Sequence, residues 1–221
     1  MGSLLAFAYS EAHRPSTPTP VPTHEPPSRL RDPQAMLAAV LAGLHPQEDL
    51  WLFAYGSLIW NPEVDAVEQR RARVPGWHRA LRMHSRINRG TPQRPGLVFA
   101  LIAGGCCRGL AYRVPRARAE LALRRLWPRE MPNGVYDPRW LVCHTVPGVV
   151  RALAFTLSKR SPNFTGRLDD AHLLDVLRHS SGRYGRTLDY LAQTAQGLRE
   201  HGIQDREVER LMALAQAHGL A

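Results

Sequence analysis

The chain has 221 residues, of which 44% are hydrophobic and 7% aromatic, and this composition is ordinary for one globular domain with a substantial core. Because no apolar run reaches the roughly 18 residues that a membrane-spanning helix needs, we expect no membrane partner. A net charge of +10 leaves three kinds of partner to consider, namely nucleic acid, anionic lipid and a small acidic substrate.

The positive charge is carried almost entirely by arginine, since Lys159 is the only lysine. The arginines are scattered through the chain, and no stretch interleaves them with aromatic and polar side chains that could read bases. We therefore interpret the charge as diffuse surface charge and expect no nucleic-acid partner. A non-catalytic basic binding protein stays open as an alternative.

The chain contains three cysteines, Cys106, Cys107 and Cys143. An odd number that includes a vicinal pair fits neither a disulfide framework nor a metal-binding pattern, and it predicts a reducing, cytoplasmic location. None of the ten histidines has the H-x-x-x-H spacing of a zinc site, so we expect no bound metal.

Two parts of the chain differ in composition. Residues 1–31 are rich in proline, which predicts a flexible extension because little apolar surface can be buried there. Residues 32–221 are predicted to form the folded domain. This domain begins with a helix that has Asp32 as its N-cap and Pro33 as its first residue, and the helix ends before Pro46.

The folded part consists of a group of predicted strands followed by predicted helices. Strands are predicted over residues 50–55, 66–74, 80–83, 97–102, 108–114, 140–146 and 150–157. Helices are predicted over residues 117–126, where Pro128 breaks the helix, and over 168–179, 187–202 and 205–218. Strands in the middle with helices inserted and trailing predict an α+β fold, a curled mixed sheet or barrel flanked by helices.

The first predicted strand runs straight into Tyr55-Gly56-Ser57-Leu58. Glycine has no Cβ that would hold a ligand away from the backbone, so N–H groups at such a junction can bind a carboxylate or a developing oxyanion. Ser57 is not expected to be a nucleophile, because the G-x-S-x-G pattern of serine hydrolases is absent. By itself the tetrapeptide is also compatible with a simple turn.

Glu130 is an acid in a stretch otherwise occupied by arginine and apolar residues. It follows the expected helix break at Pro128 and has Trp127 and Met131 as neighbours. One interpretation is a solvated ion pair with a nearby arginine. The other is a carboxylate in a partly apolar cleft, where desolvation raises the pKa to the range of a useful general base.

Five groups of residues occur in order along the chain. They are segments 53–62 (FAYGSLIWNP), 89–96 (RGTPQRPG), 107–114 (CRGLAYRV) and 126–131 (LWPREM), and Ser181-Gly182 followed by Asp189-Tyr190-Leu191. Together they make residues 50–211 resemble the ChaC-like γ-glutamylcyclotransferases, which are glutathione-specific in the characterised branch. The chain departs from the family at Ala54, where many relatives carry glycine, and in the N-terminal extension, which has no counterpart in the family core.

The resemblance implies an activity and makes residues 32–221 a catalytic domain. Enzymes of this family cleave a γ-glutamyl amide without water, because the substrate's own α-amine attacks the γ-carbonyl. For glutathione the products are 5-oxoproline and Cys-Gly. Neither a metal nor a cofactor is implied. An activity on another γ-glutamyl compound stays open, because the predicted binding loop would contact only the γ-glutamyl end.

The resemblance also implies the residues of the site. Glu130 is the base that takes a proton from the substrate amine. The loop that binds the γ-glutamyl group consists of Ala54, Tyr55, Gly56, Ser57, Leu58 and Ile59. Arg89 and Tyr190 are further lining residues, and Arg89 would face a substrate carboxylate.

Overall fold

Five strands close into a barrel surrounded by helices in the computed structural model, which describes residues 31–220. The strands are β1 (Leu50–Ala54), β2 (Glu68–Ser85), β3 (Gly96–Val114), β4 (Asp137–Thr145) and β5 (Gly148–Thr156). The helices are α1 (Pro33–Ala42), α2 (Arg116–Glu130), α3 (Asp170–His179), α4 (Thr187–Glu200) and α5 (Arg206–Ala217). The short strands β6 (Ser181–Gly182) and β7 (Gly185–Arg186) form a small hairpin before α4. The predicted α+β barrel flanked by helices is confirmed.

The barrel has the strand order β1-β3-β2-β4-β5. It closes because β1 also pairs with β5 in parallel, with Trp51 opposite Ala152. The pairs β1–β3, β3–β2, β2–β4 and β4–β5 are antiparallel. Since β1 is hydrogen-bonded on both sides, the loop that follows its last residue starts from a fixed position.

Two strands are longer than the sequence predicted. Segment 66–74, apart from its first two residues, and segment 80–83 belong to the single strand β2. Segments 97–102 and 108–114 belong to the single strand β3. Gly76, Gly104 and Gly105, which lie between the predicted segments, adopt positive φ at a bulge, and pairing resumes beyond it with Trp77 opposite Ala103. A bulge bends a strand and increases its twist, so β2 and β3 curl together and allow the barrel to close.

Helix α2 continues through Pro128, where the sequence predicted a break. Pro128 lies in the last turn, so its missing N–H removes the bond to the carbonyl of Arg124, whose exposed position lets water take that bond. The N–H of Met131 donates to the Trp127 carbonyl at 2.7 Å and closes the helix. Glu130 is therefore the last helical residue rather than part of a loop.

The predicted flexible extension, residues 1–31, lies outside the described residues apart from Arg31. The Arg31 guanidinium lies 2.7 Å from the Asp137 carboxylate at the start of β4, and the two side chains are 44% and 24% exposed. A pair this exposed contributes about 0–1 kcal/mol.

We expect deletion of residues 1–31 to leave the melting temperature and the turnover of glutathione nearly unchanged, because a proline-rich segment buries little surface. Thermal denaturation and activity of the full chain, compared with deletions of residues 1–30 and 1–31, measure this. The two deletions differ only in the Arg31 pair. A large loss in both would show that the extension docks on the domain.

The buried side chains form two clusters. One consists of strand residues together with Tyr55 and fills the barrel; it includes Leu101, Cys107 and Cys143. The other lies between the barrel and the helices, where the rings of Trp127 and Phe155 meet at 5.8 Å between centres. The second cluster fixes α2 on the barrel and so positions the end of that helix.

The three cysteines are free, with Cys106 exposed and the other two buried. Burial raises the pKa of Cys107 to about 11 and that of Cys143 to about 12, so both thiols stay protonated at neutral pH. The structure therefore gives the buried cysteines the role of packing residues.

We expect a variant with all three cysteines replaced by alanine to retain glutathione turnover while its melting temperature falls, since cavities form inside the barrel. Turnover well below the melting temperature, compared with wild type, is the measurement. If one cysteine substitution abolished turnover in a folded protein, a thiolate mechanism would have to replace base catalysis by Glu130.

Candidate active site

The chain leaves β1 and folds into a 3₁₀ turn, Ser57–Ile59. Tyr55 anchors the start of this loop, because its buried hydroxyl donates a 2.6 Å hydrogen bond to the Phe155 carbonyl on β5. Burial raises the pKa of Tyr55 well above its ordinary value, so the phenol stays protonated. Within the turn, the N–H of Ile59 donates to the Gly56 carbonyl at 3.0 Å. The loop backbone is thus fixed at both ends.

Gly56 lies directly against helix α4. A Cβ at this position would lie 2.9 Å from the Tyr190 hydroxyl, so any larger residue would have to displace Tyr190. That hydroxyl is buried and accepts a 3.2 Å hydrogen bond from the N–H of Phe99 on β3. The structure therefore brings Tyr190, a lining residue predicted from the sequence, into contact with the predicted loop.

Four of the predicted loop residues line a small pocket of about 20 Å³, namely Tyr55, Gly56, Ser57 and Leu58. Ala54 and Ile59, at the two ends of the predicted range, do not line it. Ala54 is fully buried and pairs with Leu110 in the barrel. Ile59 uses its N–H to close the turn and its carbonyl to accept from the Tyr112 hydroxyl at 3.3 Å. Residues 55–58 are therefore the part of the predicted range that lines the pocket, and substrate binding by residues 54–59 stays a prediction.

Glu130 lines the same pocket from the end of α2, and its side chain is 13% exposed. Burial raises the pKa of Glu130 to about 7; the Arg129 guanidinium opposes this effect, and the Glu63 carboxylate adds to it. The Nε of Arg129 lies 3.3 Å from Oε1 of Glu130. The ion pair considered from the sequence is present, but burial outweighs it, and the carboxyl group titrates near neutral pH.

Arg129 is a site residue that the sequence pattern did not indicate. Its Nη2 donates to Ser57 Oγ at 3.0 Å, and its Nη1 donates to the Asn61 carbonyl at 2.8 Å. The same Nη1 lies 3.1 Å from the Glu63 carboxylate. The guanidinium therefore ties the 3₁₀ turn to the end of α2, beside Glu130. Adjacency to Glu130 was the only available sequence signal.

Tyr136 is a second residue that the sequence pattern did not indicate. It lies between α2 and β4, is buried, and lines the small pocket together with Glu130. Burial and, after it, the charge of Glu130 raise the pKa of Tyr136 well above its ordinary value. Its phenol therefore stays protonated and can donate a hydrogen bond inside the pocket. Tyr136 follows the end of α2 closely in the chain, but no sequence motif marks it.

The small pocket opens into a cleft of about 590 Å³, which shares Ser57, Glu130, Tyr136 and Tyr190 with it. This volume is in the range of small-molecule sites. The walls of the cleft come from the end of β2 and the loop after it, the segment between α2 and β4, and α4.

Arg89, which the sequence predicted as a lining residue, lies in the wall of this cleft and is 8% exposed. Its Nη1 donates to the Tyr184 carbonyl, and its guanidinium carbon lies 5.2 Å from the centre of the Tyr190 ring. Burial lowers the pKa of Arg89, but a guanidinium remains charged at neutral pH. A buried guanidinium that lines a cleft is suited to binding a carboxylate.

Residues 31–220 contain neither a metal-binding cluster nor a membrane-spanning helix. In this range no group of three or more His, Cys, Asp or Glu side chains is arranged to hold a metal ion. In the same range no helix is both long and apolar enough to cross a membrane.

Comparison with known proteins identifies the family. A family model described as "ChaC-like protein" matches residues 50–218. The glutathione-specific γ-glutamylcyclotransferase of Escherichia coli K12 is 36% identical over 172 residues, which cover 77% of this chain and 74% of that protein. Human glutathione-specific γ-glutamylcyclotransferase 1 is 28% identical over 218 residues, which cover 95% of this chain and 91% of that protein. The chain belongs to the ChaC-like family, and the resemblance predicted from the sequence is confirmed.

A solved structure agrees with the fold. The crystal structure of a glutathione-specific γ-glutamyl cyclotransferase from yeast superposes with a TM-score of 0.69 at 20% identity and covers 77% of this chain and 97% of that one. At this identity the likeness shows the fold alone, the barrel flanked by helices.

Proposed function

We propose that this protein is a γ-glutamylcyclotransferase that cleaves glutathione to 5-oxoproline and Cys-Gly. The observation that carries the proposal is Glu130, a buried carboxyl group whose pKa is raised to about 7 in a pocket lined by residues 55–58. Membership of the ChaC-like family and the name of the E. coli relative support the same reaction.

The reaction needs a base because an ammonium group cannot attack a carbonyl, and the α-amino group has a pKa of about 8. Glu130, with a pKa of about 7, is matched to take a proton from that amine. The new bond joins the α-nitrogen to the γ-carbonyl carbon, and the bond to the cysteine nitrogen breaks. The attacking nitrogen loses a second proton as the ring closes. Glu130 passes the two protons, one after the other, to the cysteine nitrogen, so Cys-Gly leaves with an ammonium group and no water is consumed.

Ring closure places negative charge on the γ-carbonyl oxygen, and we assign its stabilisation to the backbone of residues 55–58. Gly56 has no Cβ, so the Tyr190 hydroxyl can lie directly against the loop, and Arg129 donates to the Ser57 hydroxyl at 3.0 Å. Donors that are already oriented stabilise a developing oxyanion without reorganisation. Because amine and carbonyl belong to one molecule, holding the γ-glutamyl chain in its reactive conformation supplies a further part of the rate.

Arg89 is the proposed partner for a carboxylate of glutathione. Among the described residues, the side-chain hydrogen bond of Arg89 goes to the Tyr184 carbonyl, and the remaining N–H groups of the guanidinium are left for a ligand in the cleft. Stacking on Tyr190 holds the guanidinium plane in place. The net charge of the chain, +10, would also attract this anionic substrate.

A cyclotransferase acting on another γ-glutamyl compound is the second candidate. It is favoured by the size of the cleft, about 590 Å³, because residues 55–58 would contact only the γ-glutamyl end and the cleft leaves the other end of the substrate less restricted. A non-catalytic binding protein is disfavoured, because binding alone gives no reason to keep a carboxyl group buried beside a glycine-lined pocket. A cytoplasmic location stays a prediction, supported by the free thiols.

The kcat/KM values for glutathione, γ-glutamylcysteine and γ-glutamylalanine distinguish these functions. The proposal predicts that glutathione is the best substrate of the three. A higher value for either dipeptide would assign the enzyme to another γ-glutamyl substrate, and no turnover of any of them would favour the binding protein.

A further inference from the structure

Arg79, on β2, has a side chain that is completely buried, although no known step of the proposed reaction uses it. A charged group is rarely fully buried unless it is paired, because its removal from water is unfavourable. The position of this arginine therefore calls for a specific role.

All three nitrogens of the Arg79 guanidinium are bonded. Nη1 contacts the Asp205 carboxylate, Nη2 donates to the Arg108 carbonyl on β3 at 2.6 Å, and Nε donates to the Tyr55 carbonyl. Asp205 is also the N-cap of α5, since its other oxygen accepts from two N–H groups of that helix at 3.1 Å. Arg79 thus connects β3 and α5 to the first residue of the substrate-binding loop.

The contact with Tyr55 has a consequence for the next residue. A peptide unit is planar and trans, so the carbonyl of Tyr55 and the N–H of Gly56 point in opposite directions. Holding that carbonyl toward Arg79 turns the Gly56 N–H away from Arg79. Gly56 lines the small pocket that also contains Glu130.

We propose that Arg79 is a positioning residue, which fixes the plane of the Tyr55–Gly56 peptide so that the Gly56 N–H faces the γ-carbonyl oxygen of the substrate. This inference rests on the proposed cyclotransferase function and extends it to a residue that does not touch the substrate. Lysine cannot replace arginine here, because one ammonium group cannot reach two carbonyls and a carboxylate in the same planar arrangement.

The test separates this role from simple bracing of the barrel. Arg79→Lys keeps a charge for Asp205 but gives up the fixed bond to Tyr55. Arg79→Gln combined with Asp205→Asn removes both charges together, which avoids an unpaired buried charge and protects folding. Asp205→Asn alone is the matched control, since it keeps both carbonyl bonds of Arg79 and an asparagine still caps α5.

We expect Arg79→Lys and the double variant to lower kcat for glutathione on the order of 10- to 100-fold with little change in KM. This decrease is smaller than the one caused by removing an oxyanion donor completely, because the Gly56 N–H is still present. The control should lose thermal stability and keep kcat within about threefold, since the Tyr55 contact remains. If either test variant folds and keeps the kcat of the control, Arg79 only braces the barrel and the proposal is overturned. Wild-type turnover of glutathione is measured first, so that failure of the function itself is recognised separately.

Discussion

Replacing Glu130 by glutamine is expected to lower kcat for glutathione by about 10²–10⁴-fold, the usual contribution of general base catalysis. Glutamine keeps the shape and the hydrogen-bonding reach of the side chain but accepts no proton at neutral pH. Substrate binding should survive, because the loop at residues 55–58 is unchanged. Steady-state kinetics together with a glutathione-induced shift in melting temperature measure both effects.

Glu120→Gln is the matched control for this substitution. Glu120 lies on the same helix, is exposed, and pairs only with Arg124 among the described residues. Glu120→Gln removes one carboxylate without touching the cleft, and the kcat of this variant should equal that of wild type. Near-normal turnover in the Glu130 variant would remove this residue from the catalytic role.

The pH dependence of folding stability, compared between wild type and Glu130→Gln, gives an independent check. In the folded protein burial raises the pKa of Glu130 from 4.5 to about 7, so the folded state binds more protons than the unfolded state between these values. The ionised carboxylate therefore destabilises the fold as pH rises through this window. Glu130→Gln should be as stable as wild type or more stable at pH 8, and any such advantage should disappear toward pH 4.5.

In wild type, kcat/KM should rise with pH through about 7 as the base ionises.

A second large effect is expected from Gly56→Ala. The added methyl group would lie 2.9 Å from the Tyr190 hydroxyl, so either the loop or Tyr190 must move. A displacement of about 1 Å in a reactive geometry lowers the rate on the order of 100-fold, and kcat/KM for glutathione should fall by that amount. Kinetics of the folded variant measure the loss.

Tyr190→Phe provides the rescue for this variant, because it removes the atom that the new methyl group meets. The double variant should recover part of the activity that Gly56→Ala loses, although the Phe99 N–H then lacks its acceptor. Gly56→Ala with the activity of wild type would show that the loop backbone does not contact the reacting group. If the double variant is no more active than Gly56→Ala alone, the contact with the Tyr190 hydroxyl is not the cause of the loss.

Much of the site is local in sequence, and that part was predictable. Gly56 lies two residues after the apolar strand β1, so a loop with exposed backbone at the end of β1 could be inferred from the order of residues. Glu130 stood out as an acid among apolar neighbours, and burial does raise its pKa. Its place on a helix was not predicted, because proline in a last helical turn removes a bond that water can replace.

The remaining parts of the site depend on tertiary structure and left no local pattern. Arg79 reaches Tyr55 only because the bulges let β2 and β3 curl until the barrel closes. Tyr136 lines the pocket from the short segment between α2 and β4, where no sequence motif marks it. Gly76, Gly104 and Gly105, at one of these bulges, look like ordinary turn residues in the sequence. The two continuous strands were accordingly predicted as four shorter ones. Arg129 was hidden by the abundance of arginine in the chain.

The central claim is that the bond in glutathione is broken by the substrate's own amine, with Glu130 as the base. Mass spectrometry of the products formed in ¹⁸O-labelled water tests it most directly. The account predicts 5-oxoproline and Cys-Gly without ¹⁸O from wild type, and neither product at a comparable rate from Glu130→Gln. Free glutamate carrying ¹⁸O as the first product would show that water is the nucleophile, and would contradict it.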